Sequence, residues 1–492
     1  MDQAGRMGRE PIAWLLLKFS LPAMLGTMMN AAYNIVDRIF VGRTVGDEGL
    51  AALTVSFPIM LIMMGFGMMF GFGSTALISI RLGQNRRDEA ERILGQGVCL
   101  FTILSIVFMV FSLSLLTPLL RLFGATDNIL PYARQYMTVI VFGVFFHEIS
   151  FGVNGFIRGE GNPSAAMVTM LLGSCGNIFL DWLFVWRWGW GVQGAALATV
   201  LAQGVAASWV FYYYLSGRSL LKMRWKYIRI DPQLTRRVMI LGFPPFFMNI
   251  ANCVQYAFMN NRLATYGALT PYGGDKAIAV MGGIFSILMV VIMPIIGLSQ
   301  GMQPLLGYNF GAKNHRRVGR TLRTAMTVAT IICAASWCVL FVAPEFLFSL
   351  FAKDDPGFIE LGAHAIRRFM FCLPLIGMMI ISSNYFLATK RPLIALSLSI
   401  TRQALLLIPL VIFLPMRFGL DGVWMAAPIS DGGAFIVTNI VVFVELRRLK
   451  RLASEESDST PPGEEEPLPD EEDLGKVPLS PVDPSTLGET TP

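Results

Sequence analysis

Four carboxylates interrupt stretches that are otherwise apolar enough to cross a bilayer: Asp37, Glu148, Asp181 and Asp431. A charged side chain at membrane depth is costly unless it faces a partner, a cavity or an ion, so each marks a functional site or a specific pairing. Asp181 has company. In GNIFLDWLF it stands four residues after Asn177, which stacks the two on one helix face, and the next apolar stretch supplies Thr199 within GAALATVLAQ. With Asp37 these make two carboxylates, an amide oxygen and a hydroxyl, an oxygen set suited to a hard cation or a shared proton. Two carboxylates that approach each other out of bulk water cannot both stay ionised without a compensating cation.

The blander reading of Asp37 pairs it with Arg38, but consecutive helical residues point about 100° apart and meet poorly. Asp431 has a better neighbour in the intramembrane Arg402, and the two are expected to neutralise each other. Glu148 stands beside His147 with no partner evident in sequence. Pro22 and Pro244, one to two turns into their apolar stretches, remove a backbone donor and permit a kink, so Pro22 is an expected hinge. The run IMLIMMGFGMMFGFG from Ile59 to Gly73 combines flexible thioethers with small residues. Met64 and Met68 in it are expected to line an adaptable apolar cavity, a surface that suits varied ligands.

The elements that must position these residues are membrane spans. With 54% hydrophobic and 15% charged residues and a mean hydropathy of +0.57, the chain has no soluble composition. Windows of span length predict an all-α integral membrane protein with twelve spans, near 14–42, 50–80, 93–117, 131–157, 163–187, 191–216, 236–266, 278–308, 318–343, 359–388, 393–415 and 419–446. Loops after even-numbered spans carry most cations, including Arg81, Arg86, Arg87, Arg158, Lys313 and Lys390, so both termini are expected in the cytoplasm.

The halves repeat. Gly83 answers Gly311, Pro163 answers Pro392, GVQG at Gly191 answers GLDG at Gly419, and Pro22 answers Pro244. Two homologous six-helix lobes around a central cavity follow, at 1–217 and 236–450. A basic cytoplasmic linker at 218–235 joins them, and an acidic, Pro-rich tail at 451–492 has the composition of a disordered segment.

The phrases NIVDRIFVG at 34–42, RGEGNP at 158–163, GNIFLDWLF at 176–184 and QGMQPLLGYNFGA at 300–312 resemble the multidrug and toxic compound extrusion (MATE) family, and most of all its bacterial MepA-like branch. The resemblance implies an antiporter in the bacterial inner membrane that exports amphipathic, often cationic drugs in exchange for H⁺ or Na⁺ by alternating access. It assigns the N-lobe ion site to Asp37, Asn177, Asp181 and Thr199, which would also be the metal ligands if the ion is Na⁺, and it adds Asn154 to the cavity. Other branches place acidic residues in the C-lobe, whereas span seven here offers Gln255 as its cavity residue.

Other functions find little support. The chain has no GxxxxGK[ST] phosphate loop, no HExxH, no CxxC among its six cysteines and only three histidines. No catalytic group, cofactor or nucleic-acid partner is expected, and a single chain suffices to enclose the cavity. The runner-up is a flippase for lipid-linked intermediates. It would favour a strongly basic cavity, and the intramembrane cations are few, chiefly Arg38 and Arg402.

Overall fold

The computed structural model describes residues 3–123, 125–349 and 355–458. Spans one to three are Ile12–Thr44, Asp47–Gly83 and Arg87–Ser114. Five and six are Pro163–Asp181, running on through Trp182–Arg187, and Gly191–Leu215. Seven to nine are Pro232–Gly267, Gly274–Gly311 and His315–Val342.

Spans four and ten are each bent. Leu130–Phe142 meets Val144–Gly159 at 57°, and Pro356–Phe369 meets Leu373–Ala388 at 51°. The final helical stretch breaks at Gly419, where φ is 58° and ψ −139°, and so divides into spans eleven and twelve. The twelve-span reading stands. The last helix runs to Asp458, and the rest of the acidic tail lies outside the described residues.

Helix starts follow local chemistry. Asn162, Asp231 and Asn314 accept backbone N–H groups as N-caps of spans five, seven and nine. Pro163, Pro232 and Pro392 occupy first-turn positions, where the missing N–H costs nothing. Span one continues through Pro22 as a single helix.

The repeat is written in the backbone as well as the sequence. Left-handed residues recur as Gly46 with Gly273 (φ 83° and 81°), Asn85 with Lys313 (56° and 62°), Gly161 with Lys390 (102° and 61°) and Gly191 with Gly419 (both 58°). L-residues rarely adopt this conformation, so its return at near-constant spacing places the same turn at the same point of each lobe.

The lobes touch where spans two and eight end. A Cβ on Gly83 would lie 2.0 Å from the Tyr308 carbonyl oxygen, and one on Gly311 would lie 2.2 Å from that of Ile80. The two contacts are counterparts under the repeat. Nearby, a Cβ on Gly242 of span seven would meet the Met69 carbonyl at 1.7 Å. The backbones therefore meet directly, at a distance that only glycine permits. Closer to mid-span, the Thr27 hydroxyl donates to the Met293 carbonyl across the lobes at 3.0 Å.

Two polar ties cross this arrangement. The short helix Gln3–Arg9 docks on the second lobe, where Asn309 Nδ2 and an Arg317 guanidinium nitrogen donate to the Met7 carbonyl at 3.1 and 3.2 Å. The inter-lobe linker docks on the first. Glu91 accepts from Lys222 N at 3.2 Å and pairs with Arg224 at 2.8 Å, while Glu160 accepts from the Ser219 hydroxyl at 2.6 Å and Leu221 N at 3.1 Å. Both carboxylates are buried.

Candidate ion site

Asp37 faces inward from span one and is buried; Asp181, at the end of the regular part of span five, is fully so. Span one packs on span five, and the two carboxylates are close enough for their charges to interact. Four residues before Asp181, Asn177 donates through Nδ2 to Thr199 Oγ1 at 3.2 Å, joining spans five and six. The structure thus brings together the four residues that the sequence and the family resemblance singled out.

Their oxygens are left over. Asp37 Oδ1, both Asp181 carboxylate oxygens and Asn177 Oδ1 are buried without a hydrogen-bond partner. Buried acceptors are nearly always satisfied, and the set here offers acceptors with no donor, which is what a proton or a monovalent cation supplies. Arg38 donates no hydrogen bond to Asp37 Oδ1: its side chain is exposed, with the guanidinium 5.9 Å from the centroid of the Phe57 ring.

Asn177 and Thr199 line a cavity of about 80 Å³, together with Asn30, Asn154, Arg158 and, from the second lobe, Gln300, among others. It has room for a few waters or an ion, and it is far below the ~300 Å³ and more of a drug-sized pocket. Asn154 belongs to this small cavity. Met64 and Met68 are half-buried on span two, where Met68 Sδ accepts from Asn249 Nδ2 of span seven at 2.9 Å. Gln255, half-buried on span seven, lies apart from the cavity.

Two further charged residues of span four lie inside the first lobe. Arg158, counted with the loop cations, lines the cavity because span four runs on to Gly159. Glu148 is fully buried with neither oxygen partnered, packed against Gly67, whose Cβ would lie 2.6 Å from Glu148 Oε2. Neighbouring His147 turns away to share a hydrogen bond with Gln203 at 3.3 Å and to stack on Phe151. A π-helical segment follows directly after Glu148, at Ile149–Val153, and another directly after Asp181, at Trp182–Arg187. Such wide turns re-aim side chains and recur at functional sites.

In the second lobe the expected pairing is present. Arg402 Nε donates to Asp431 Oδ1 at 2.7 Å. Among the described residues, no three His, Cys, Asp or Glu side chains gather as a metal site.

The MatE family model matches residues 22–183 and 238–413. The multidrug export protein MepA of Staphylococcus saprophyticus is 25% identical over 434 residues, which cover 88% of this chain and 94% of that protein. The MepA of Staphylococcus haemolyticus is 26% identical over the same length and shares of each chain. Among solved structures, the MATE multidrug transporter DinF-BH in complex with R6G is 38% identical, with a TM-score of 0.81 over 87% of this chain and 95% of that one. An outward-facing multidrug resistance MATE family transporter of the MOP superfamily shares the fold, with a TM-score of 0.85 at 24% identity over 91% of this chain and 98% of that one. Twelve spans in two repeated lobes and a match to most of both lobes lead to one conclusion: this multi-pass membrane protein belongs to the MATE family.

Proposed function

We propose that the protein is a secondary active multidrug antiporter that exports amphipathic, often cationic compounds in exchange for H⁺ or Na⁺. Its setting is the bacterial inner membrane, with both termini cytoplasmic. The observation that carries this reading is the pair of buried carboxylates, Asp37 and Asp181, three of whose four oxygens are buried without a partner next to Asn177 and Thr199.

Entry of one monovalent cation lowers the charge of the pair from −2 to −1, which relieves the repulsion and draws span one toward span five. Loss of the cation restores repulsion between the carboxylates and separates the spans. Because span one also packs across the lobe boundary, through Thr27 and Met293, that movement reaches the second lobe. An ion that binds one state better than the other shifts the balance by its differential affinity, which is the requirement for coupling. The π turn directly after Asp181 and the proline within span one are the places where the helices give. Relatives that export several drugs, and a 38%-identical transporter solved with R6G, support the substrate class. The adaptable thioethers of Met64 and Met68 at the lobe boundary suit such ligands.

The test is efflux of a fluorescent lipophilic cation from proteoliposomes under a proton gradient and, separately, a Na⁺ gradient. Wild type is expected to move the dye under one of them, and a folded Asp37→Asn variant under neither. Coupled efflux by Asp37→Asn at the wild-type rate removes the ion-site assignment. Failure of wild type under both gradients removes the antiporter reading.

A further inference from the structure

The repeat gives each residue of the first lobe a counterpart in the second. Pro22 and Pro244 set the register of spans one and seven, Pro163 and Pro392 that of five and eleven, Gly191 and Gly419 that of six and twelve. In this register Asp37 corresponds to Met259, Asp181 to Leu410 and Thr199 to Ala427, all parts of one hydrophobic cluster. The ion-binding positions of the first lobe are thus apolar in the second.

The cavity positions behave differently. Asn30, Gly173, Ser174 and Gln203 all line the 80 Å³ space of the first lobe. Their counterparts are Asn252, Arg402, Gln403 and Asp431, and these bond to one another. Arg402 Nε donates to Asp431 Oδ1 at 2.7 Å, and Gln403 Nε2 donates to Asn252 Oδ1, also at 2.7 Å. The Ser430 hydroxyl donates to the Arg402 carbonyl at 2.8 Å. Arg402 and Gln403 are carried on a π-helical turn, Thr401–Leu407. Asp431 is 4% exposed, and Gln403 Oε1 is buried without a partner.

We infer that the Arg402 guanidinium is a built-in cation, filling in the second lobe the place that the first lobe leaves open, and that Asp431 with Gln403 forms a latent monovalent-cation site beneath it. The chemistry is that of a tether. A buried carboxylate needs a neutralising positive charge. Supplied by a side chain, that charge neither exchanges with solvent nor responds to an ion gradient, so the lobe holds one charge state through a transport cycle. Removing the guanidinium leaves the Asp431 carboxylate and the Gln403 Oε1 amide oxygen around a space that a proton or Na⁺ can enter. The Asp431 charge also reaches the Cys372 thiol of span ten. The inference extends the proposal that coupling resides in the first lobe, and its test needs no transport.

The experiment is thermal unfolding of the purified full-length protein in an Asp37→Asn background, which disables the first site. Na⁺ is exchanged for choline at fixed ionic strength and pH, and in a second arm pH is varied in choline. Adding Arg402→Met is expected to make stability depend on Na⁺ or on acid. The unfolding temperature should rise by about 3 °C or more at saturating ion, with the arms telling Na⁺ from a proton. Adding Asp431→Asn as well should abolish the response. An Arg402→Met protein that responds to neither ion more than its parent overturns the inference. Should Arg402→Met fail to accumulate in membranes, the charge-free Arg402→Met/Asp431→Asn protein is expected to recover the yield, and failure to recover it also overturns the inference.

Discussion

Replacing Thr199 by Val keeps its shape and removes the oxygen that accepts from Asn177. The Asn177 amide is then buried without an acceptor, which costs about 1–3 kcal/mol. Thermal unfolding should show that loss, and exchange assays should show a raised ion concentration for half-maximal transport. Glu160 gives a pH dependence outside the spans. Burial pushes its carboxyl up to about 7, against hydrogen bonds from Ser219, Tyr213 and Leu221 and the charge of Arg87, which pull it down. A carboxyl raised in the folded state contributes stability that is complete below its unfolded pKa, near 4.5, and fades as pH rises through 7. Wild type is expected to lose unfolding temperature between about pH 5 and 8 relative to Glu160→Gln, and parallel melting curves for the two across that range refute the assignment. At this scale the sequence was informative where spacing carried the message, as with Asn177 four residues before Asp181. It was silent on Arg158 and Glu160, because one residue more or less of helix decides whether each is a loop charge or a buried one.

Spans were legible because a bilayer demands long apolar runs, whereas departures from regular helix were not. The bend at Gly143 falls inside VFGVFF, and the π turns after Glu148 and Asp181 and at Arg402 lie in equally uniform stretches. Tertiary packing selects such turns, and composition does not record it. The linker is a similar case. A basic segment between lobes reads as a surface feature, yet Glu91 and Glu160 fasten it to the first lobe. Glu91→Ala removes the acceptor of Lys222 N and the partner of Arg224. We expect a loss of about 1–2 kcal/mol and faster hydrogen exchange at 219–224, with no change at 163–187. Unchanged exchange in the linker would show that other contacts hold it.

For the whole molecule, the glycines that announced the repeat also build the boundary between its halves. Gly83 and Gly311 were visible as matching landmarks, but their mutual approach was not, since no sequence pattern states which faces of two lobes meet. A methyl at Gly311 has to displace the Ile80 carbonyl, which is backbone and cannot rotate away. Gly311→Ala should therefore part the lobes at this end. Ser79→Cys, at a fully buried position beside Gly307, should be alkylated faster in that background than alone. Equal labelling rates would mean that the lobes accommodate the methyl without separating.

The closeness of that boundary also bears on the energy economy of the cell. Where backbone lies on backbone with no side chain between, a file of water molecules has no width to form, and without one protons have no wire to follow. Under the antiport proposed above, a boundary closed in this way keeps the resting protein from leaking protons at this end, so that a gradient would be drawn down only as cargo moves.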